Sequence, residues 1–221
     1  MTGIFITFEG TEGGGKSTQI KLLAERLKKM NLAVRVLREP GGTPIGEEIR
    51  HTLQHSDANH AMTGEAELLL MNASRAQLVR EVIRPALAAG EIVLCDRFYD
   101  STTAYQGHGR QLDLKKVSAV IDFAVEGTRP DLTLLLDVPI AISEARRQSR
   151  QGGKPGSAPQ RDRMEEADRA FFERVQRGFH AVAASEPKRV QLVDATQNVE
   201  AVSAKIWEMV APLVTGSTKT K

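Results

Sequence analysis

The sequence predicts a doubly wound α/β fold, in which about five parallel strands form one sheet with helices on both faces. Three observations support this prediction. Short apolar runs alternate with longer segments of helical periodicity. A glycine-rich turn, G-x-x-x-x-G-K-S, joins the first run to the first helix. No linker divides residues 1–214, so they are predicted to form one domain, with a disordered polar tail at 215–221.

Composition limits the function classes. The chain has 30 Lys plus Arg against 28 Asp plus Glu, a net charge of +2, which argues against nucleic-acid binding. Cys95 is the only cysteine, so an internal disulfide is excluded and a reducing compartment fits. No run approaches the ~20 apolar residues of a membrane span, and the N-terminus lacks a basic segment. These features predict a cytoplasmic protein without a membrane partner.

The first run, residues 4–8, is predicted to be a buried strand, and residues 17–30 a helix. The turn between them is a phosphate-binding P-loop. Its glycines leave backbone N–H groups open to phosphate oxygens at the positive end of the helix dipole. Lys16 is predicted to reach the β- and γ-phosphates, and Ser17 to bind Mg²⁺. The predicted ATP phosphate-binding residues are Gly10, Thr11, Glu12, Gly13, Gly14, Gly15, Lys16, Ser17 and Thr18.

Glu12 is unusual in such a loop, because phosphates repel a carboxylate that has no partner. Two interpretations stay open. Either the side chain points to solvent, or it accepts a hydrogen bond from a substrate hydroxyl or orders magnesium-bound water.

A second strand is predicted at 33–37, followed by a loop rich in Gly and Pro at the strand end, where open α/β sheets bind ligands. Helix 45–53 carries Arg50. The polar stretch 51–60 contains three of the five histidines, but it lacks cysteine and a convincing acidic set, so a solvated surface is favoured over a metal site.

Thr63 is predicted to cap a long helix that Pro85 kinks and Gly90 ends. A buried strand at 92–95 then leads into Asp96, the position expected to hold the magnesium shell in a P-loop protein. The alternative is an ordinary aspartate in a turn. Arg97, the next residue, is placed to meet a phosphate.

The second half of the chain continues the alternation. After a polar, glycine-bearing segment at 101–110, helices are predicted at 114–124, 140–149, 164–184 and 199–214, and strands at 132–138 and 190–193. The stretch 151–160 is rich in Gly and Pro and is flanked by arginines. A mobile lid over triphosphate, at about 146–163, is favoured over a solvated basic linker.

The reaction class follows from the charges. The guanine-reading N-K-x-D segment and the D-x-x-G switch are absent from the sequence. Lys16, Ser17 and Asp96 are enough to bind Mg–nucleotide, so the two arginines Arg50 and Arg97 remain for a second anionic ligand. This favours a kinase whose acceptor itself carries phosphate. Such an acceptor is already ionised, so no general base is required. A kinase for another nucleoside monophosphate and a nucleotide-dependent switch or binding module stay open as alternatives.

Six short motifs give the chain a resemblance to the bacterial thymidylate kinase family along nearly its whole length. They are F-E-G-T-E-G-G-G-K-S at 8–17, R-E-P-G-G-T at 38–43, D-R-F at 96–98 with Ser101, A-Y-Q-G at 104–107, D-R-M-E at 162–165 and D-A-T-Q at 194–197. The resemblance implies phosphoryl transfer from ATP to dTMP with Mg²⁺ in a homodimer. The apolar surface of the helices from Leu68 and Leu114 is where such a dimer would form.

The resemblance also implies residue roles. The implied catalytic residues are Lys16, Glu12, Arg97 and Arg150, and the implied metal-binding residues are Ser17 and Asp96. Arg146 resembles the residue that stacks on adenine, and Gln197 lies in the adenine-side loop. The implied dTMP-binding residues are Glu12, Arg38, Arg50, Met71, Arg75, Arg97, Ser101, Thr102, Tyr105 and Gln106.

Within that set, Glu12 resembles the acid that holds the 3′-hydroxyl, and Arg75 the arginine that reads the thymine carbonyl. Tyr105 is similar to the aromatic residue that favours deoxyribose. Two departures stand out. Met71 occupies a position where many members have phenylalanine, and a thioether can pack on a ring. The lid is longer than expected, which leaves Arg150, Arg161 and Arg163 as candidates for the arginine that bridges the phosphates.

Overall fold

The computed structural model describes residues 3–151 and 168–216. Most of the predicted lid, including Arg161 and Arg163, lies outside the described residues, as does the side chain of Arg150. Residues 217–221 of the predicted tail also lie outside them.

Five parallel strands in the described ranges form one sheet, which confirms the predicted fold class. They are β1 (Ile4–Glu9), β2 (Val34–Arg38), β3 (Ile92–Asp96), β4 (Leu132–Asp137) and β5 (Val190–Asp194). Their order in space is β2-β3-β1-β4-β5. From β1 the chain runs to the edge strand β2, returns to β3 beside β1, and then crosses to β4 and β5 on the other side. The switch point therefore lies at the carboxyl end of β1, where such sheets bind ligands.

Helices cover both faces of the sheet. They are α1 (Lys16–Lys29), α2 (Pro44–Gln54), α3 (Gly64–Leu78), α4 (Arg84–Ala88), α5 (Tyr99–Thr102), α6 (Leu114–Val125), α7 (Ile140–Gln151), α8 (Arg169–Ser185) and α9 (Val199–Gly216). A short 3-10 helix covers Asp57–Ala61, and π-helical segments cover Val79–Ile83 and Thr103–Gly109. Within the residues that the structure describes, every helix is too short or too polar to span a lipid bilayer.

The central strands are apolar on both sides because both faces are covered. Ile6, Phe8 and Leu134 pack with α1 and α9 on one face. Phe5 and Val93 pack with α3 and α6 on the other. The sheet is therefore held rigidly, and the loops at its carboxyl edge rest on fixed strand ends.

The long helix predicted from Thr63 begins as expected, since the Thr63 hydroxyl accepts a hydrogen bond from the Ala66 N–H at 3.2 Å. It does not run unbroken to a kink at Pro85. A π-helical segment separates α3 from α4 before that proline. The last helix runs two residues past its predicted end, to Gly216.

A further segment differs from prediction. The polar segment 101–110, for which no element was predicted, is helical: α5 leads into a π-helical segment in which Ala104 and Tyr105 are buried. Its residues pack on α8, a contact that local sequence does not encode. The predicted start of helix 164–184, at Met164, lies outside the described residues; within them, α8 begins after Asp168, whose carboxylate accepts from the Phe171 N–H at 2.7 Å.

Candidate active site

The P-loop joins β1 to α1, and three of its glycines, Gly10, Gly13 and Gly15, have positive φ. Gly13 has φ of 82°, and a Cβ there would lie 2.8 Å from the Ser143 carbonyl oxygen of α7. Gly15 has φ of 89° and is the N-cap of α1, without a side-chain cap on the helix. The first N–H groups of α1 therefore form an anion site of the kind that phosphates use.

Lys16 is buried beneath this loop. Its ammonium donates to the carbonyl oxygens of Gly10 at 3.0 Å and Thr11 at 3.1 Å. Burial, and next the charge of Arg97, lower the pKa of Lys16, whereas Glu12, Asp96 and Glu9 raise it. The cation thus lies in a low-dielectric position, where a phosphate would gain most from it.

Ser17 and Asp96 meet at the tip of β3. The register pairs Phe8 with Asp96, and the Ser17 hydroxyl donates to the Asp96 carboxylate at 3.0 Å. Hydroxyl and carboxylate oxygens are ligands that suit Mg²⁺, which takes few protein ligands and completes its shell with water and phosphate. Within residues 3–151 and 168–216, no three His, Cys, Asp or Glu side chains gather at one point as a metal cage would need.

Arg97 follows β3 and has φ of 68°, a rare conformation for a residue with a side chain. Its guanidinium donates to the Gly10 carbonyl oxygen at 3.1 Å, the Glu12 carboxylate at 2.6 Å and the Ser101 hydroxyl at 3.0 Å. It also lies 3.3 Å from the Tyr105 hydroxyl. Arg97 therefore stands at the border between the P-loop and the next part of the site, and Glu12 faces it rather than solvent alone.

A buried ion pair forms the far wall. Arg75 of α3 bonds one oxygen of Glu39 at 2.7 Å and 2.9 Å, with both side chains at most 4% exposed. The same guanidinium donates to Asn72 at 2.9 Å and Thr102 at 3.0 Å. Burial raises the pKa of Glu39, although Arg75 lowers it. Several elements thus fix the orientation of Arg75.

These groups surround a cavity of about 400 Å³. All ten residues predicted to bind dTMP line it, as do Lys16, Ser17 and Asp96 of the predicted phosphate and metal sites. Residues that sequence reasoning gave no role also line it: Glu39, Pro40, Gln54, Phe98 and Phe172. Glu39 had a signal, since it is a charge at a strand end. Phe172 had none, because its position depends on how α8 packs.

The polar residues of the wall are themselves bonded. The Gln106 amide donates to Glu67 at 2.8 Å, and Arg50 donates to the Pro40 carbonyl oxygen at 2.9 Å. Arg38 pairs with Glu47 at 3.0 Å. Tyr105 packs edge-on against Phe171 and Phe179, with ring centroids 6.1 Å and 6.0 Å away. Burial, partly offset by Arg97, raises the Tyr105 pKa to about 12, so its hydroxyl stays protonated at neutral pH.

The predicted adenine-side residues lie apart from the lining of this cavity. Arg146 of α7 donates to the Ala195 carbonyl oxygen at 2.9 Å, next to the loop that follows β5. In that loop Gln197 donates to Asp194 at 3.1 Å. Arg146 also approaches the Gly13 carbonyl oxygen at 3.5 Å, so this side chain links the P-loop to the loop that follows β5.

Glu9, at the end of β1, is a further buried carboxylate that sequence reasoning left without a role. It accepts from the backbone N–H groups of Phe98 at 2.7 Å and Ser101 at 3.3 Å, and from the Ser101 hydroxyl at 2.5 Å. Burial, and next the charge of Asp100, raise its pKa to about 7.

Comparisons with known proteins agree on one family. A family model described as thymidylate kinase matches residues 8–206. A thymidylate kinase from Syntrophotalea carbinolica is 48% identical over 92% of this chain and 93% of its own length. One from Alcanivorax borkumensis is 47% identical over 95% and 97%. The crystal structure of thymidylate kinase from Ehrlichia chaffeensis matches with a TM-score of 0.76 and 30% identity, covering 95% of this chain and 100% of that one.

Proposed function

The chain belongs to the thymidylate kinase family and catalyses the ATP-dependent phosphorylation of dTMP, and we propose that this reaction takes place across the cavity between Lys16 and Arg97. The observation that carries the proposal is the position of Arg97. Its guanidinium contacts Gly10 and Glu12 of the P-loop, so a phosphate bound to it would lie beside the phosphate cradle.

On the donor side, the P-loop amides and the N-terminus of α1 bind the ATP phosphates in this proposal. Lys16 exchanges its two carbonyl partners for phosphate oxygens and stabilises the charge that develops during transfer. Ser17 and Asp96 would hold Mg²⁺, which would supply charge neutralisation between the β- and γ-phosphates.

On the acceptor side, Arg97 and Arg50 hold the dTMP phosphate, with Arg38 at the rim. The attacking oxygen of that phosphate is already ionised, so the reaction needs positioning and cations more than a proton acceptor. Glu12 approaches Arg97 at 2.6 Å and would accept a hydrogen bond from the 3′-hydroxyl of the sugar. This arrangement would keep its charge compensated beside two phosphates.

Recognition of the base rests on the buried wall in this proposal. Arg75 donates to the thymine carbonyl, Thr102 and Gln106 line the polar edge, and Met71 packs on the ring face. Tyr105 crowds the 2′-position of the sugar. Its packing between Phe171 and Phe179 leaves it little freedom to yield to a ribose hydroxyl.

Arg146 and Gln197 bind adenine in the proposal, and Arg150 bridges the two sets of phosphates. An Arg150→Ala variant should lower kcat more than it raises KM, because the contact would form mainly in the transition state. Steady-state kinetics with both substrates test this. A change in KM alone would contradict a bridging role.

We also propose a cytoplasmic homodimer. Exposed apolar side chains on α3 and α6 support the dimer: Leu69 is 58% exposed, Leu114 47% and Phe123 82%. Leu68, which the sequence suggested as part of this surface, is buried instead. The molar mass in light scattering should be about twice the chain mass, and a Phe123→Asp substitution should halve it. An unchanged mass would place the interface elsewhere.

The experiment that tests the function is a coupled ADP-release assay across nucleoside monophosphates. dTMP should be the preferred acceptor. Stronger turnover of UMP would favour a kinase for another nucleoside monophosphate. Nucleotide binding without phosphorylation of any acceptor would favour a switch or binding module.

A further inference from the structure

We propose that Glu9 positions Arg97, and that this buried carboxylate thereby sets the geometry of the acceptor-phosphate site. The inference rests on the proposed role of Arg97 as the dTMP phosphate clamp. Glu9 would touch neither substrate. It would act through the turn that carries the clamp.

The first support is a chain of hydrogen bonds. Glu9 is 0% exposed, and its carboxylate accepts from the Ser101 hydroxyl at 2.5 Å. The same hydroxyl accepts from the Arg97 guanidinium at 3.0 Å. One hydroxyl group therefore links the carboxylate to the cation, and a shift of Glu9 would be transmitted to Arg97.

The second support is the backbone of the turn. Arg97 is held at φ of 68°, a conformation that persists only where neighbouring contacts enforce it. On one side, the Arg97 N–H donates to the Phe8 carbonyl oxygen at 2.9 Å. On the other side, the Phe98 N–H donates to Glu9 at 2.7 Å. Consecutive residues of β1 thus grip consecutive residues of the turn.

The third support is electrostatic. The Phe98 and Ser101 N–H groups need a hydrogen-bond acceptor. A neutral acceptor such as an amide oxygen would serve them as well, and burying it would not require the desolvation of a charge. Burial raises the pKa of Glu9 to about 7, so ionisation here is unfavourable. Asp100 adds repulsion, and Arg97 is the cation that opposes it. A costly charge facing a substrate-binding cation is typical of a site maintained for function.

The test separates the phosphate from the rest of the substrate. In Glu9→Gln, dTMP should bind about tenfold more weakly in calorimetry, the scale expected when a charged contact is misplaced. Thymidine, which lacks the phosphate, should bind within about twofold of the parent protein, and the KM for ATP should stay unchanged. Equal losses for dTMP and thymidine would overturn the proposal, since a general disturbance of the fold would not single out the phosphate.

Asp131→Asn is a control for a β1 carboxylate contact outside the cavity, at an exposed side chain. Asp131 accepts from the Phe5 N–H at 2.8 Å near the opposite end of β1, away from the cavity. In the Asp131→Asn variant, the ratio of dTMP affinity to thymidine affinity should equal that of the parent protein. Glu9→Asp, which keeps the charge but withdraws it by one methylene, should reproduce the selective loss. It provides the same test if Glu9→Gln folds poorly.

A double-mutant cycle decides whether Glu9 acts through Arg97. In an Arg97→Ala background, adding Glu9→Gln should change dTMP affinity by less than about twofold, because the clamp is already lost. If the losses in dTMP affinity from the two substitutions were additive, the inference about Glu9 would be overturned, but the proposed role of Arg97 would stand. If Arg97→Ala by itself left dTMP affinity unchanged, the clamp in the proposed function would fall as well, so the two failures are distinguishable.

Discussion

In the proposed function, eight consecutive residues, 10–17, form the phosphate cradle on the donor side of the cavity, whereas the acceptor side takes its side chains from separate elements along the chain. The cradle works largely through backbone N–H groups and needs glycines at fixed positions. The acceptor wall works through side chains such as Arg75 and Glu39, which are buried and bonded to each other. The donor site is thus a local feature, and the acceptor site is part of the core.

This difference predicts how substitutions should divide. On the donor side, a change should reduce turnover and leave the fold intact. On the acceptor wall, a change should cost stability and substrate binding together, because the same contacts serve both.

The largest effect is expected for Arg75→Ala. It leaves the Glu39 carboxylate buried without its cation, a loss of about 3–5 kcal/mol in the free energy of unfolding. Chemical denaturation measures this, and dTMP binding should weaken in parallel. A loss below about 1 kcal/mol, typical of an exposed pair, would show that the wall is not part of the core.

Lys16→Ala should lower kcat by about 10²–10³-fold, the scale seen when one preorganised electrostatic donor is removed from an active site. The thermal midpoint should stay within a few degrees of the parent value. Lys21→Ala is the control, because Lys21 is exposed on the same helix. An unfolded Lys16→Ala protein would show that the donor side is as coupled to the core as the acceptor side.

The Glu9 carboxyl predicts a pH dependence of stability. Its pKa rises from an ordinary value of 4.5 to about 7 in the folded protein, so between those values the folded state holds more protons than the unfolded state. Stability should therefore fall as the pH rises through this window, by about 3 kcal/mol from this group. Glu9→Gln should remove that part of the slope in denaturation series at pH 5 and pH 8. Parallel curves for the two proteins would contradict it.

Arg97→Ala tests the border between the two sides. Losing a charge-assisted phosphate contact should cost about 1.5–3 kcal/mol of binding free energy. The KM for dTMP should therefore rise roughly 10- to 150-fold. The KM for ATP should change little, although Arg97 also contacts Gly10. Initial-rate kinetics with each substrate varied in turn provide the measurement. An equal rise in both constants would mean that Arg97 serves the donor side too.

The smallest effect is expected for Arg35→Ala. Arg35 pairs with Glu91 at 2.7 Å, as short as the Arg75 pair, but its side chain is 44% exposed. The loss of unfolding free energy should be about 0–1 kcal/mol. The shortest contact is 2.7 Å in both ion pairs, so a difference between Arg35→Ala and Arg75→Ala would reflect burial and the further bonds of Arg75 to Asn72 and Thr102, not contact distance. Equal losses would contradict that explanation.

The elements show where sequence reasoning succeeds. Each predicted strand from 4–8 to 190–193 lies within one or two residues of an observed strand, because a buried parallel strand must be a short apolar run between breakers. The predicted start of α8, at Met164, lies outside the described residues, and within them α8 begins at Arg169. The segment 101–110 received no element, because its helical form depends on packing against α8 rather than on its own polar pattern.

The same division holds for the site. Residue types and spacing were enough to predict that Lys16, Ser17 and Asp96 act together, since the chemistry of a P-loop requires a lysine and a hydroxyl at the start of the helix and a carboxylate at the end of a neighbouring strand. Glu9 and Glu39 were part of quoted motifs but had no role. Their importance depends on the donors that surround them, and Phe98, Ser101 and Arg75 come from distant positions in the chain.

By itself, the sequence determined the alternation of strands and helices, the glycine cradle and the resemblance that led to the family, because these are written in contiguous residues. Only the tertiary structure decided the strand order, the burial of the Arg75–Glu39 pair and the link from Glu9 to Arg97. The physical reason is that a hydrogen bond in a short motif is fixed by local backbone geometry. The partner of a buried charge is fixed by which distant segments the core brings together.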